Sequence, residues 1–146
     1  MVTIKRNAAV IGLCLLLAGC SKEMEVKYLN MCRLTPYKEY SFQLTEPFMV
    51  SVDSRMLTIP RGFITDLASI PRFLWSFYSP TEVATVLPAV IHDYLYACVS
   101  EYNRLEADNI FYYALRENGV SKIKALKYYY AVRFFGWAHY RPILCE

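Results

Sequence analysis

The sequence lacks the concentrated positive charge that nucleic-acid binding requires. Its formal net charge is +3, and only +1 remains when Lys5 and Arg6 are left out. It also lacks internal repeats and low-complexity stretches, which excludes a repeat architecture. Hydrophobic residues make up 55% of the chain, and 13 residues are tyrosine. The composition therefore predicts a well-buried globular domain with no nucleic-acid partner.

The sequence also lacks an apolar run of the roughly 20 residues that a membrane-spanning helix needs. The run Ala8 to Leu17 is shorter, follows Lys5 and Arg6, and leads into Ala18-Gly19-Cys20. This order is typical of a secretory signal with small residues at its cleavage site. The cysteine resembles the lipobox of bacterial lipoproteins, which implies cleavage before Cys20 and acylation of its sulfur and new amino group. An uncleaved N-terminal anchor is the alternative.

Lipidation predicts that the mature chain works at a membrane surface outside the cytoplasm, held there through the lipid on Cys20. Ser21 follows directly, and serine at this position resembles the outer-membrane export signal of enteric-type lipoproteins. In a Gram-negative host we expect the periplasmic face of the outer membrane. We expect residues 1–19 to be the signal peptide, residues 20–38 a lipidated tether and residues 39–146 one domain.

No cysteine stands in a recognisable nucleophile motif, so the sequence gives no catalytic thiol. Cys14 leaves with the signal and Cys20 takes the lipid, so three cysteines remain. An export compartment permits a disulfide. The pairing among Cys32, Cys98 and Cys145 stays open, although a bridge from Cys32 to Cys145 would join regions near the two ends.

The order of the elements predicts an α+β fold, with a short N-terminal antiparallel sheet packed against about four C-terminal helices. Residues 40–44 alternate in polarity, and two apolar runs flank a turn at Asp53–Arg55, as in a β-hairpin. Pro88 should divide a helix. The expected helix signals are a cap at Ser69 before Pro71, a capping box at 79–82, a separate piece over 89–98, a capped start at 103–106, a stop at Asn118-Gly119 and a last helix from Ser121 to about Trp137.

Several polar residues stand where the pattern calls for hydrophobic ones. Asp108 shares a helical face with Leu105, Phe111 and Leu115. An isolated buried carboxylate is costly, so Asp108 must be paired, metal-bound or protonated. The other residues of this kind are His92 and Asp93 in the preceding apolar segment, Thr65 and Asp66 after the hairpin, and Arg133 on the stripe of Leu126, Tyr130, Phe134 and Trp137.

Two interpretations of these residues stay open. In the structural one, Arg133 pairs with Asp108, Asp66 caps a turn, and His92 is a hydrogen-bonded core histidine. In the functional one, His92, Asp93, Asp66 and Asp108 converge as a candidate catalytic site with Thr65, Ser69 and Arg133 in support. A divalent metal on His92, Asp66 and Asp108 is an alternative, although compact spacings such as H-E-x-x-H are absent. Ser69 lacks the G-x-S-x-G context of a hydrolase nucleophile.

The same residues carry a family resemblance. The segments are Gly62–Arg72 (G-F-I-T-D-L-A-S-I-P-R), His92–Tyr96 (H-D-Y-L-Y), Arg104 with Ala107-Asp108, and Tyr130–Arg133 with Gly136. Over about residues 40–138 the chain resembles a family of small phage, prophage and bacterial proteins catalogued as a domain of unknown function. The resemblance implies that the family's motif positions are Thr65, Asp66, Ser69, His92, Asp93, Asp108 and Arg133. The lipoprotein leader is a departure, because many relatives resemble cytoplasmic or virion-associated proteins.

The sequence supports two functional hypotheses. The first is an envelope-anchored hydrolase whose His/Asp pocket acts on peptidoglycan or its peptides. The second is a non-catalytic lipoprotein that binds an envelope protein, for example a prophage factor that excludes superinfecting phages.

Overall fold

A computed structural model describes residues 23–67, 82–98 and 100–143 of the chain. Strands come first and helices follow, so the predicted α+β class is confirmed. The strands are β1 (Val26–Tyr28), β2 (Leu34–Lys38), β3 (Ser41–Leu44), β4 (Phe48–Val52), β5 (Arg55–Ile59) and β6 (Ile64–Thr65). The helices are α1 (Val83–Ala97), α2 (Arg104–Glu117) and α3 (Lys122–Phe135), and a 3-10 turn at Gly136–Ala138 follows α3. The predicted short helix after Ser69 lies outside the described residues.

The predicted hairpin is formed by β4 and β5. Val52 pairs with Arg55, so the connecting loop has two residues, Asp53 and Ser54. Both have positive φ, 48° and 69°, as a type I′ turn requires, and the twist of this turn matches that of the flanking strands. Alternate residues of β4 are buried and belong to the same core cluster as the buried residues of α1.

The strands form two three-stranded antiparallel sheets, ordered β1-β4-β5 and β2-β3-β6. Two of these strands lie within residues 20–38, the segment interpreted above as a tether. Val26 of β1 is buried and pairs with Val52. The folded part therefore reaches back at least to Val26, because the central strand β4 needs a partner on its second edge.

Helix α1 differs from the prediction because Pro88 lies inside it instead of dividing it. A proline has no N–H to donate to the carbonyl four residues earlier, here that of Ala84. The side-chain amide of Asn118 donates to the Ala84 oxygen at 2.9 Å. A long-range hydrogen bond thus replaces the missing helical one, and the helix runs on to Ala97. Its N-cap is Glu82, without a side-chain cap.

The predicted boundaries of α2 are confirmed. Asn103 and Glu106 form a reciprocal capping box at its start. Gly119, just after its end, has a φ of +81°, a left-handed conformation that glycine adopts without strain. Helix α3 begins after Ser121, as predicted, although the Ser121 side chain makes no capping hydrogen bond.

The sequence pattern was wrong about which face of α3 is buried. The predicted apolar stripe contains Tyr130, Phe134 and Trp137, but these residues are 52%, 68% and 70% exposed. The buried face instead carries Ala125, Tyr128, Ala131 and Val132, where the small alanines permit close approach of α2. Amphipathic periodicity locates an apolar stripe but cannot choose between two of them.

Cys98 is disulfide-bonded, whereas Cys32 is a free thiol. A bridge from Cys32 to Cys145 is therefore not formed. Burial raises the pKa of the Cys32 thiol to about 11. Among the described residues, none of the helices is long and apolar enough to cross a membrane.

Candidate functional site

Asp108 joins the three helices. It lies in the middle of α2 and its side chain is fully buried, as its place on an apolar face predicted. Its Oδ1 accepts from His92 Nε2 at 2.8 Å and from the Tyr96 hydroxyl at 2.5 Å, both on α1. Its Oδ2 accepts from Arg133 Nη1 of α3 at 2.6 Å. A buried carboxylate with three donors is stabilised as the anion.

These hydrogen bonds decide the ionisation of the cluster. Burial alone would raise the pKa of Asp108, but donation from His92, Tyr96 and Arg133 outweighs burial and holds that pKa below its usual value. The hydrogen bond to Asp108 raises the pKa of Arg133. Burial, followed by the bond to Asp108, raises the pKa of Tyr96. At neutral pH the cluster therefore contains the carboxylate of Asp108, the guanidinium cation of Arg133 and the neutral phenol of Tyr96.

Arg104 adds a second link that the sequence interpretation did not include among the candidate site residues. Its Nε donates to the Tyr96 hydroxyl at 3.2 Å. Its Nη2 donates to the carbonyl oxygens of Val132 and Arg133 at 3.2 and 2.5 Å. These carbonyls belong to the last turn of α3, where a cation is favourable for the helix dipole. The Val132 oxygen also accepts from the backbone N–H of Gly136, so Arg104 is a second donor to it.

A cavity of about 300 Å³ opens beside this cluster. His92 borders the cavity although only 1% of the residue is exposed, so it forms part of the floor. Asp108 lies behind His92, away from the cavity lining. The lining residues are Ser41, Phe63, Ile64, Thr65, Asp66, His92, Asp93, Tyr96, Ala97, Gly136 and His139.

A second polar pair lies in the cavity wall. The Thr65 hydroxyl of β6 donates to Asp93 Oδ2 of α1 at 2.5 Å, which connects the β2-β3-β6 sheet to α1. The same hydroxyl oxygen accepts from the backbone N–H of Leu67 at 3.1 Å. Asp66 is exposed at the cavity rim. The backbone N–H of Leu67 is thus accepted by Thr65 and not by Asp66, the residue that the structural interpretation expected to cap this turn.

The structure therefore arranges the predicted candidates in two layers. His92, Asp93 and Asp66 border the cavity with Thr65, while Asp108 and Arg133 support His92 from behind. Ser69 lies outside the described residues. Tyr96 and Arg104 could have been found from helical spacing, because each lies four residues from a predicted site residue on the same helix face.

Gly136 allows the close approach of α1 to the end of α3. A Cβ atom on this residue would lie 2.8 Å from the Tyr96 hydroxyl oxygen. That hydroxyl is held by both Asp108 and Arg104, so it cannot move away without loss of a hydrogen bond. A side chain at position 136 would therefore disturb the cluster.

The His92–Asp108 geometry fixes which nitrogen of the imidazole carries the proton. An ionised carboxylate only accepts, so His92 Nε2 must be the donor. Neutral His92 then has its lone pair on Nδ1, which can accept a proton or bind a metal ion. Within the described residues, no group of three His, Cys, Asp or Glu side chains has the geometry of a metal site. An imidazole oriented by a carboxylate in this way can act as a general acid or base.

Two comparisons with known proteins found sequences similar to this chain. The model of a family described as "Protein of unknown function (DUF1353)" matches residues 42–132. The chain is 39% identical over 79 residues to the "Uncharacterized protein y4jT" of Sinorhizobium fredii (strain NBRC 101917 / NGR234). This alignment covers 53% of the chain and 23% of that relative, so the chain spans less than a quarter of its length. No solved structure matches the chain significantly.

Proposed function

The chain belongs to the DUF1353 family of proteins of unknown function, and we propose that it is a lipid-anchored envelope protein with a histidine-dependent hydrolytic site. The observation that carries the catalytic part is the cavity with His92 at its floor and Asp108 hydrogen-bonded behind it. The lipid part is supported by the order of charge, apolar run and lipobox ending at Cys20. A disulfide at Cys98 fits an oxidising compartment outside the cytoplasm.

In the proposed reaction, His92 Nδ1 takes a proton from a water molecule as the water oxygen attacks a substrate carbonyl carbon. The tetrahedral intermediate then collapses, the C–N bond breaks, and His92 returns the proton to the leaving amine. Asp108 holds the imidazole and stabilises the imidazolium that forms, as the carboxylate of a hydrolase triad does. Arg133 and Tyr96 keep Asp108 ionised and in position, so they act as positioning residues.

Peptidoglycan is the substrate class that fits an envelope location, because its peptides offer amide bonds at the membrane surface. Purified protein should cleave amide bonds in isolated peptidoglycan sacculi, measured by liquid chromatography of the fragments after the glycan strands are digested with a muramidase. The His92→Gln variant should reduce the rate of this amide cleavage by about 100-fold or more, the usual contribution of a general base. Glu117→Gln, an exposed change on α2, is the matched control and should keep full activity.

The sacculus assay also tests the alternative of a divalent metal. Protein is dialysed against EDTA and assayed with and without added Zn²⁺. Activity that needs Zn²⁺ would assign His92 to metal binding, whereas activity after EDTA supports general-base catalysis. If folded wild-type protein cleaves no amide bond of the sacculi under either condition, the hydrolase proposal for peptidoglycan is wrong.

The lipid anchor is tested separately from the chemistry. Wild-type protein should incorporate a labelled palmitate analogue and fractionate with membranes, and Cys20→Ser should incorporate none. In a Gram-negative host the labelled protein should be found in the outer-membrane fraction. Wild-type protein that carries no label contradicts the anchor without bearing on the cavity.

A second candidate function is supported by the closed arrangement around Asp108. All its observed partners come from the helices it joins, and His92 is almost completely buried, as in a cluster that stabilises a fold. The chain would then be a non-catalytic envelope lipoprotein, for example one that excludes superinfecting phages. Cells expressing wild type or Cys20→Ser are challenged with a broad phage panel, and unchanged plating of every phage would argue against this function.

A further inference from the structure

The last helix carries a second apolar stripe that faces solvent. Ile123, Tyr130, Phe134 and Trp137 are 52–73% exposed, and Lys127 lies in the same row at helical spacing. The rings of Tyr130 and Phe134 are stacked, with 24° between their planes. The two rings therefore form one continuous aromatic surface on this side of the helix. We call this row, from Ile123 on α3 to Trp137 in the 3-10 turn that follows the helix, the exposed face of α3.

The chemistry of the exposed face fits a lipid surface. Helix α3 carries four cationic side chains, Lys122, Lys124, Lys127 and Arg133, and has no acidic residue. Lys124 is paired with Glu82 at 2.6 Å, and Arg133 with Asp108. An apolar face rich in aromatic side chains beside lysines is typical of helices that lie at the boundary of headgroups and acyl chains of anionic membranes.

The position of the proposed lipid anchor also favours a bilayer as the surface that covers the exposed face of α3. Glu23, the first described residue, lines a surface pocket together with Lys122 at the start of α3. Cys20 precedes Glu23 by three residues, which span at most about 11 Å when fully extended. Acyl chains on Cys20 would therefore hold the first turn of α3 close to the bilayer. The helix has 14 residues, so its exposed face is about 21 Å long.

We propose that the exposed face of α3 lies on the bilayer that carries the lipid anchor, with Phe134 and Trp137 inserted at the headgroup boundary. This inference rests on the proposed acylation of Cys20. It also orients the cavity, because Gly136 and His139, which lie one and two residues from Trp137 in sequence, line its wall. The cavity would then open next to the membrane surface and take a substrate attached to it or near it.

The test uses the mature protein, purified after its native processing and lipidation. The protein is reconstituted into phosphatidylethanolamine–phosphatidylglycerol vesicles. Some vesicles contain lipids brominated on the acyl chains, which quench tryptophan only within the bilayer. Trp75→Phe leaves Trp137 as the reporter. The matched control carries Trp75→Phe, Trp137→Phe and Met31→Trp, because Met31 is 73% exposed and lies at the far end of β1 from Glu23.

We expect brominated lipid to reduce Trp137 emission at least about two-fold, as for a ring at the headgroup boundary, and to leave the Met31→Trp control nearly unchanged.

Sedimentation of the vesicles reports the anchor independently. If the protein sediments with vesicles but Trp137 is quenched no more than the control, the inference is wrong and the anchor stands. A blue-shifted but unquenched Trp137 would indicate a protein partner or second copy on this face, and would also overturn the inference. Protein that does not sediment refutes the anchor, and the inference falls with it.

Discussion

Replacement of Asp108 by asparagine should destabilise the domain strongly, because it removes the charge that three helices share. The new amide nitrogen can only donate, so one of the present donors, Arg133 or the pair His92 and Tyr96, would lose its acceptor. Removal of one partner from a buried ion pair costs about 3–5 kcal/mol. Arg133 is partly exposed, and water can solvate it, so we expect about 3 kcal/mol.

A loss of this size is a large fraction of the 5–15 kcal/mol that stabilises a typical domain, and it should lower Tm by about 10 °C. Thermal unfolding followed by circular dichroism measures it. Glu117→Gln on the same helix is the control, and an exposed change of this kind should alter the unfolding free energy by less than about 0.5 kcal/mol.

The pH dependence gives a sharper check. The pKa of Asp108 is lowered in the folded state, so its stabilising contribution is present above the unfolded value of about 3.9 and is lost as pH falls through the folded value. The stability difference between wild type and Asp108→Asn should therefore be full at pH 7 and shrink below about pH 4. A Tm within about 2 °C of wild type at pH 7, or a difference that does not shrink in acid, would refute the proposed charge-linked network.

Three further predictions concern the structure around the site. Asn118→Ala removes the hydrogen bond to the Ala84 carbonyl and should cost about 1–2 kcal/mol in urea unfolding; an unchanged midpoint would mean that this bond does not support α1. Gly136→Ala places a methyl group 2.8 Å from the Tyr96 hydroxyl and should cost about 1–3 kcal/mol; wild-type thermal stability would contradict the close approach. Cys32, with its pKa raised to about 11, should react with iodoacetamide slowly at pH 8 and faster as pH rises toward 11; rapid alkylation at pH 7 would refute the burial of this thiol.

Local signals in the sequence were reliable where the determining interactions lie within a few residues. The β4–β5 hairpin follows from two apolar runs around a two-residue turn. The start of α2 follows from Asn103 and Glu106, whose reciprocal bonds span three positions. Asp108 was recognised as buried and in need of partners because it interrupts an apolar helical face, and its pairing with Arg133 was one of the two interpretations offered.

Other features depend on residues that are distant in sequence. Helix α1 continues through Pro88, and Asn118, which lies 34 positions from Ala84, supplies the donor that the proline lacks. Strand β1 pairs with β4, whose partner residues lie 22 to 26 positions later in the chain. Which of two apolar stripes on α3 is buried was decided by packing against α2, and periodicity carries no information about that choice.

The sequence by itself determined the α+β order, the hairpin, the helix ends at capping residues, and the set of polar residues that break the apolar pattern. These are consequences of backbone conformational preference and of the cost of burying charge, both of which act locally. Only the tertiary structure decided that Asp108 supports His92 from behind, that Thr65 and Asp93 join the sheet to α1, and that a cavity opens between them. Those relations require three helices and a sheet to be brought into contact, and the free energy that does so comes from long-range burial of apolar surface.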